Sequence, residues 1–275
     1  MSSTLTDDHR DDIKSVFQAP APTEVKGVVG RLTDLQAVME QFGGRPNNPV
    51  ASFNGLYTTI TQEVEARLAV NGFQDPDFMI ALDLRFAERY FRALQDWSDR
   101  STWAPRCWSA LFNKWNDDDM APILGAIAGV TAHIRFDLGA ALVRAFKDIQ
   151  GSVVAATPEQ IADYKVLNEI FAQEIPQLRR GMLEGNLLAG LFDKVTWNWD
   201  DLAQAETVTV ARQWAWERAE SLWPVRDDPD LYADQLVSLD GSTESLISTM
   251  FRLFDNWLGN YVLGSRSSGF WGTED

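Results

Sequence analysis

The chain has 275 residues and a mass of 30.9 kDa, enough to bury a sizeable core in one large domain or two. Hydrophobic residues make up 45% and aromatics 11%, which excludes a wholly disordered or collagen-like chain. Its 24 basic and 40 acidic residues leave a formal charge of -16, a field that repels phosphate backbones and anionic lipid, so neither nucleic acid nor a membrane is an expected partner.

Residues 1–23 are polar and end in Gln18-Ala19-Pro20-Ala21-Pro22, without the apolar core of a secretory signal. They read as a mobile arm on a cytoplasmic protein. A helix is expected from Val25 to Phe42, stopped by Gly43-Gly44. From Pro49 to Asn71, Phe53, Leu56, Tyr57, Ile60, Val64 and Leu68 recur at three- and four-residue steps, the mark of an amphipathic helix. The next helix begins at Asp75-Pro76-Asp77, with Asp77 available as N-cap, and carries Phe78, Leu82, Phe86, Tyr90, Leu94 and Trp97 on one face.

Further helices are predicted from Pro105 to Trp115, Asp119 to Lys147, Thr157 to Glu174, Asp200 to Trp223 and Ser242 to Leu263. Thr157-Pro158-Glu159-Gln160 has the form of a capping box. The most apolar stretch, Ala121 to Ile134, contains Thr131 and His133 and falls short of the roughly 20 apolar residues that span a bilayer; it reads as a buried helix. Asp227-Asp228-Pro229-Asp230 punctuates a surface loop between Arg226 and Asp240, and Gly264 to Gly269 has a flexible composition. Only Thr207 to Val210 alternates with period two, and helix formers flank it. The fold class is therefore all-α: a single multi-helix domain over residues 24–264 around a central buried helix, with a flexible tail at 265–275. Phe270 and Trp271 in that tail leave an oligomer open.

Chemistry is confined to few places. One cysteine, Cys107, rules out an intrachain disulfide and reads as a small core residue, and two histidines are too few for a His- or Cys-rich metal site. No nucleophile elbow, Walker loop, dinucleotide-binding turn or His-Glu-x-x-His pair is present, and no metal or cofactor is expected. Asp117-Asp118-Asp119 suits a helix N-terminus. The same run is also compatible with the first magnesium motif of a class I terpene cyclase, but the nearest second motif, Asn54, Thr58 and Gln62, lacks its carboxylate.

On the central helix, Gly125, Gly129, His133 and Asp137 stand four residues apart and form one stripe. The glycines leave either a close helix crossing or space in which a ligand meets the imidazole. Asp137 is placed to orient His133 as a general acid or base, or the two form a buried pair that joins helices by hydrogen bonds. The glutamate of the di-iron Glu-x-x-His signature is replaced by Val130.

Several blocks together resemble a family of actinobacterial and other bacterial proteins catalogued as domain of unknown function 5995. They are Phe53 to Tyr57, Phe86 to Phe91, Ala128 to Leu138, Asp163 to Asn168 and Ala211 to Trp216. The resemblance implies a helical domain with His133 and Asp137 at its signature and carries no activity with it. Relative to the family pattern, Thr131 replaces an asparagine and Arg135-Phe136 precede the aspartate, so a second polar or histidine ligand is lost.

The resembling blocks also bring Asn54, Tyr57, Arg89, Tyr90, Tyr164 and Asn168 onto apolar faces as candidate polar contacts to a ligand. The reading is an enzyme that moves protons on a largely apolar small molecule, by cyclisation, isomerisation or elimination, through His133 oriented by Asp137. A non-catalytic protein that sequesters a hydrophobic metabolite is the alternative, and a magnesium-dependent terpenoid cyclase stands behind both.

Overall fold

Helices form where apolar residues recur at helical spacing in the computed structural model, which describes residues 7–41, 48–115, 117, 120–182 and 205–267; side chains at 7–9, 168, 172–182, 205–212 and 256–267 are not described. In chain order they are α1 (Asp7–Val16), α2 (Val25–Gln41), α3 (Pro49–Ala69), α4 (Pro76–Ser98), α5 (Arg106–Phe112) and α6 (Pro122–Ala132). A π-helical turn (His133–Leu138) then leads into α7 (Gly139–Asp148), followed by α8 (Pro158–Met182), α9 (Ala205–Leu222), a 3₁₀ turn (Trp223–Val225) and α10 (Pro229–Ser267). Among the described residues there is no strand, and Thr207 to Val210 belong to α9.

Proline decides where several helices begin, because its fixed φ and missing N–H suit the first helical position and leave the preceding residue as cap. Asn48 accepts a hydrogen bond from the Ala51 amide at 2.8 Å at the start of α3. Asp75, rather than the expected Asp77, caps α4 by accepting from the Phe78 amide at 3.0 Å, with Pro76 in the first turn. Asp228 accepts from the Leu231 amide at 3.1 Å, so α10 starts at Pro229 and only a short turn remains of the loop expected up to Asp240. The capping box forms as read: the Gln160 amide donates to Thr157 Oγ1 at 3.2 Å and the Thr157 amide to Gln160 Oε1 at 3.0 Å. Helix α5 has no local side-chain cap; Asp240 of α10 accepts from the amides of Arg106 and Cys107 at 2.9 and 2.8 Å.

The run from Pro122 to Asp148 lies at the centre. It is long and apolar enough by length and composition to cross a membrane, yet 89% of its most apolar window is buried inside the protein, as in a core helix. Helix α3 packs on α2 and α6, α7 on α4 and α9, and α5 on α10. The glycine stripe produces a close crossing: a methyl group at Gly125 would overlap the Pro49 backbone, and one at Gly129 the Phe53 ring. No room for a ligand remains beside these two glycines.

Two terminal expectations differ from the structure. Within the segment read as a mobile arm, α1 buries Ile13 completely, and Arg10 sits 4.2 Å over the Trp97 ring while donating to the Trp97 carbonyl at 2.7 Å. An isoleucine placed among polar residues found an apolar seat that local composition does not reveal. At the other end α10 continues past Gly264 to Ser267. Gly43-Gly44, Asp118, Asp119, Asp200, Phe270 and Trp271 lie outside the described residues.

Candidate functional site

The central helix changes winding at the residues with chemical potential. His133 to Leu138 form a π-helical turn inside an otherwise α-helical run, an arrangement that is rare in general and frequent at functional sites. His133 and Asp137 are both buried, and the Asp137 carboxylate collects three nitrogens. Arg89 Nε of α4 donates to Oδ1 at 2.8 Å, Trp108 Nε1 of α5 donates to Oδ2 at 2.9 Å, and His133 Nδ1 lies 3.0 Å from Oδ2. With Arg89 and Trp108 already donating to this carboxylate, a hydrogen on Nδ1 completes the set of donors and leaves Nε2 on the far side of the ring from Asp137.

Aromatic rings enclose the imidazole. Phe86 stacks on it at 3.4 Å between centroids and 7° between planes, Tyr57 meets it edge-on at 4.6 Å, and Trp108, Phe53 and Tyr90 follow at 5.7, 5.8 and 6.2 Å. Burial, with the nearby carboxylates of Asp83 and Asp137, pushes the Tyr57 phenol well above its ordinary value. Asp83 lies on the same apolar stripe of α4 as Phe86 and Tyr90, and burial raises its carboxyl to about 7. Its Oδ2 has no hydrogen-bond partner among the described residues.

The residues expected to contact a ligand fall into distinct settings. Arg89 is partly exposed, anchors Asp137 through Nε, and lies 4.9 Å over the Phe136 ring. Tyr57 and Tyr90 both line the imidazole. Asn54 is fully buried and already engaged: Nδ2 donates to the Leu32 carbonyl and Gln36 Oε1 at 2.9 and 2.8 Å, and Oδ1 accepts from the Tyr90 hydroxyl at 3.2 Å. It braces α2, α3 and α4. Tyr164 packs 5.0 Å from Trp216 in a second aromatic cluster that continues to Phe146 and Phe78. The Asn168 side chain lies outside the described residues.

Trp108 and Asp83 were not singled out from sequence. Asp83 had a legible signal, a carboxylate in step with Met79, Phe86 and Tyr90; Trp108 had only the general need of a buried indole N–H for an acceptor. Cys107 is buried, and burial together with Asp240 and Asp137 raises its thiol, so it is a packed core thiol. Asp117 pairs with Lys114 at 2.8 Å. Among the described residues no group of three or more His, Cys, Asp and Glu side chains is placed to hold a metal ion. Two surface grooves, of about 820 Å³ beside α4 and about 630 Å³ between α5 and α10, do not include the His133–Asp137 pair.

The model of a family of unknown function, DUF5995, matches residues 25–252, most of the chain and all of this site. The protein belongs to the DUF5995 family. No curated protein and no solved structure matches it. In this DUF5995 member the π-helical turn coincides with the block read as the family signature. Two residues of that block also have definite settings: Thr131 donates back to the Ile127 carbonyl at 2.9 Å, and Arg135 lies 5.8 Å over Trp214. Helix α1 precedes the matched DUF5995 region.

Proposed function

We propose that the protein is an enzyme that moves protons on a largely apolar small molecule, with His133 as donor and acceptor and Asp137 as the group that orients it. One observation carries the reading: a His–Asp pair on a π-helical turn of the most buried helix, its carboxylate fixed by N–H donors from α4, α5 and its own helix. A buried ion pair of this kind adds little net stability over apolar packing, so stability alone is a weak reason for it.

In the proposed cycle Nε2 takes a proton from one carbon or oxygen of the substrate and returns it to another. Asp137 stabilises the transient imidazolium, while Arg89 and Trp108 hold the carboxylate in place. The surrounding rings present π faces to positive charge developing on the substrate. Cyclisation, isomerisation and elimination are the reaction types that need only such transfers. Substrate entry requires Phe86 to move from the imidazole face or the substrate to approach the ring edge.

The flat contact of Phe86 on His133 favours a second reading, a protein that sequesters an apolar metabolite without converting it. Native mass spectrometry of the purified protein, followed by extraction of the accompanying small molecule, supplies the compound for the test. With that compound, His133→Gln is expected to retain the helical circular-dichroism spectrum and to lose about 10²- to 10⁴-fold in turnover. Wild-type turnover in a folded His133→Gln protein would overturn the enzymatic reading; unchanged affinity with no product from either protein would establish sequestration.

A further inference from the structure

Among the described residues, five rings surround the His133 imidazole, and one of them lies differently from the rest. Tyr57, Trp108, Phe53 and Tyr90 meet it at 73°, 65°, 84° and 62° between planes, the tilted or edge-on contacts that aromatic groups favour. Phe86 lies flat, at 7° and 3.4 Å. The other four rings are buried, whereas Phe86 is half-buried, so of the five it is the one that reaches the surface. Two buried oxygens beside it, Asp83 Oδ2 and the Tyr57 hydroxyl, have no hydrogen-bond partner among the described residues. Asp83 precedes Phe86 by one turn on the same face of α4, which puts their Cβ atoms about 5–6 Å apart, and the Tyr57 ring stands 5.9 Å from the Phe86 ring on the α3 side. Thr61, the polar neighbour of the Tyr57 phenol, has its own hydroxyl committed to the Tyr57 carbonyl at 2.9 Å. A buried polar atom left unpaired costs about 1–3 kcal/mol, and here two such atoms border the same ring.

We propose that Phe86 occupies the seat of a planar ring of the protein's ligand, and that Asp83 and Tyr57 recognise a hydroxyl or carbonyl group borne by that ring. Rotation of Phe86 toward the surface leaves a slot one ring thick, with the imidazole on one face and the Tyr57 ring at its edge. A flat guest regains the stacking contact that Phe86 gives up and adds hydrogen bonds that Phe86 cannot make. The Asp83 carboxyl, protonated below about pH 7 because it is buried, donates to an oxygen of the guest, and the Tyr57 hydroxyl donates or accepts. The ligand class is an unsaturated ring with one oxygen substituent, as in a phenol or a cyclic enone. Because the seat lies on the His133 face, the ring it holds is the part of the substrate on which His133 and Asp137 act. That step alone rests on the catalytic reading; the seat itself does not.

The probes are phenol and toluene, which match in size and differ in the hydroxyl, each titrated into the full chain while NMR follows the imidazole signals of His133 and His9. In the wild type phenol is expected to shift His133 saturably and to leave His9 in place. Toluene is expected to bind roughly tenfold more weakly, the loss of one hydrogen bond to a buried group. Phe86→Ala removes the competing ring and leaves a cavity of its size, so phenol is expected to bind about tenfold more tightly. Asp83→Leu, an apolar side chain of similar shape, is expected to keep the fold and to abolish the preference for phenol over toluene. No saturable His133 shift with phenol, toluene bound as tightly as phenol, unchanged phenol affinity in a folded Phe86→Ala protein, or a preference that persists in Asp83→Leu would overturn the seat. Where Phe86→Ala does not fold, the wild type and Asp83→Leu decide. None of these readouts involves turnover, so the seat and the catalytic reading fail separately.

Discussion

At the scale of single residues, the four buried carboxylates among the described residues divide into three with partners and Asp83, whose Oδ2 has none. Asp240 accepts two amides of α5, Asp163 accepts the amides of Gln74 and Asp75 at 2.9 and 2.6 Å, and Asp137 gathers Arg89, Trp108 and His133. Each fixes an element end or the orientation of the His133 ring; Asp240 and Asp163 are not recognisable from their own sequence neighbourhood, because their partners are remote in the chain, whereas Asp137 was legible through His133 four residues away but not through Arg89 and Trp108. Asp83 is the contrast. With its carboxyl raised to about 7 against an ordinary value near 4, the folded state holds a proton that the unfolded chain releases. Stability attributable to this group therefore falls as pH rises from about 4 to about 7, and the full penalty, on the order of 3–4 kcal/mol, is present above that window. Asp83→Asn is expected to flatten this decline and to raise the denaturation midpoint at pH 8 more than at pH 4. Chemical unfolding across that range measures it, and an identical gain at both pH values would contradict the assignment.

Among elements, helix existence was legible because Phe53, Tyr57, Val64 and their counterparts keep a helical period, and the Thr157–Gln160 box could be read at its own position. Boundaries were less legible where a competing cap lay next to proline, as at Asp75 and Asp228. The π-helical turn was hidden, since His133 and Asp137 are four residues apart in sequence whichever winding joins them. The glycine stripe was legible as a stripe but open in meaning until Phe53 was seen against Gly129. Gly129→Ala is expected to destabilise by about 1–3 kcal/mol, since the Phe53 ring has to leave its position. Gly30→Ala in α2 has nothing within 4 Å of the added carbon and is expected to stabilise by about 0.5–1 kcal/mol. Thermal unfolding of the two variants should show midpoint shifts of opposite sign.

For the whole molecule, α1 is part of the folded body although it precedes the region matched to the family. Full burial of Ile13 stabilises by about 1.5–3 kcal/mol, to which the Arg10 contacts with Trp97 add. Removing residues 1–18 is therefore expected to lower the unfolding midpoint by several degrees, where loss of a mobile arm would leave it unchanged. Scanning calorimetry of the shortened chain distinguishes the two.

The π-helical turn has a consequence in phase. Its i→i+5 bonding holds one residue more than the 3.6-residue turn on either side, so the apolar faces of α6 and α7 are out of step by about 100° and each still meets its own neighbours. A single deletion between residues 133 and 137 would restore one continuous α-helix with both faces seated, and would bring His133 and Asp137 to a three-residue spacing on it. The extra residue therefore sets the register between the two helices without being required to seat either of them.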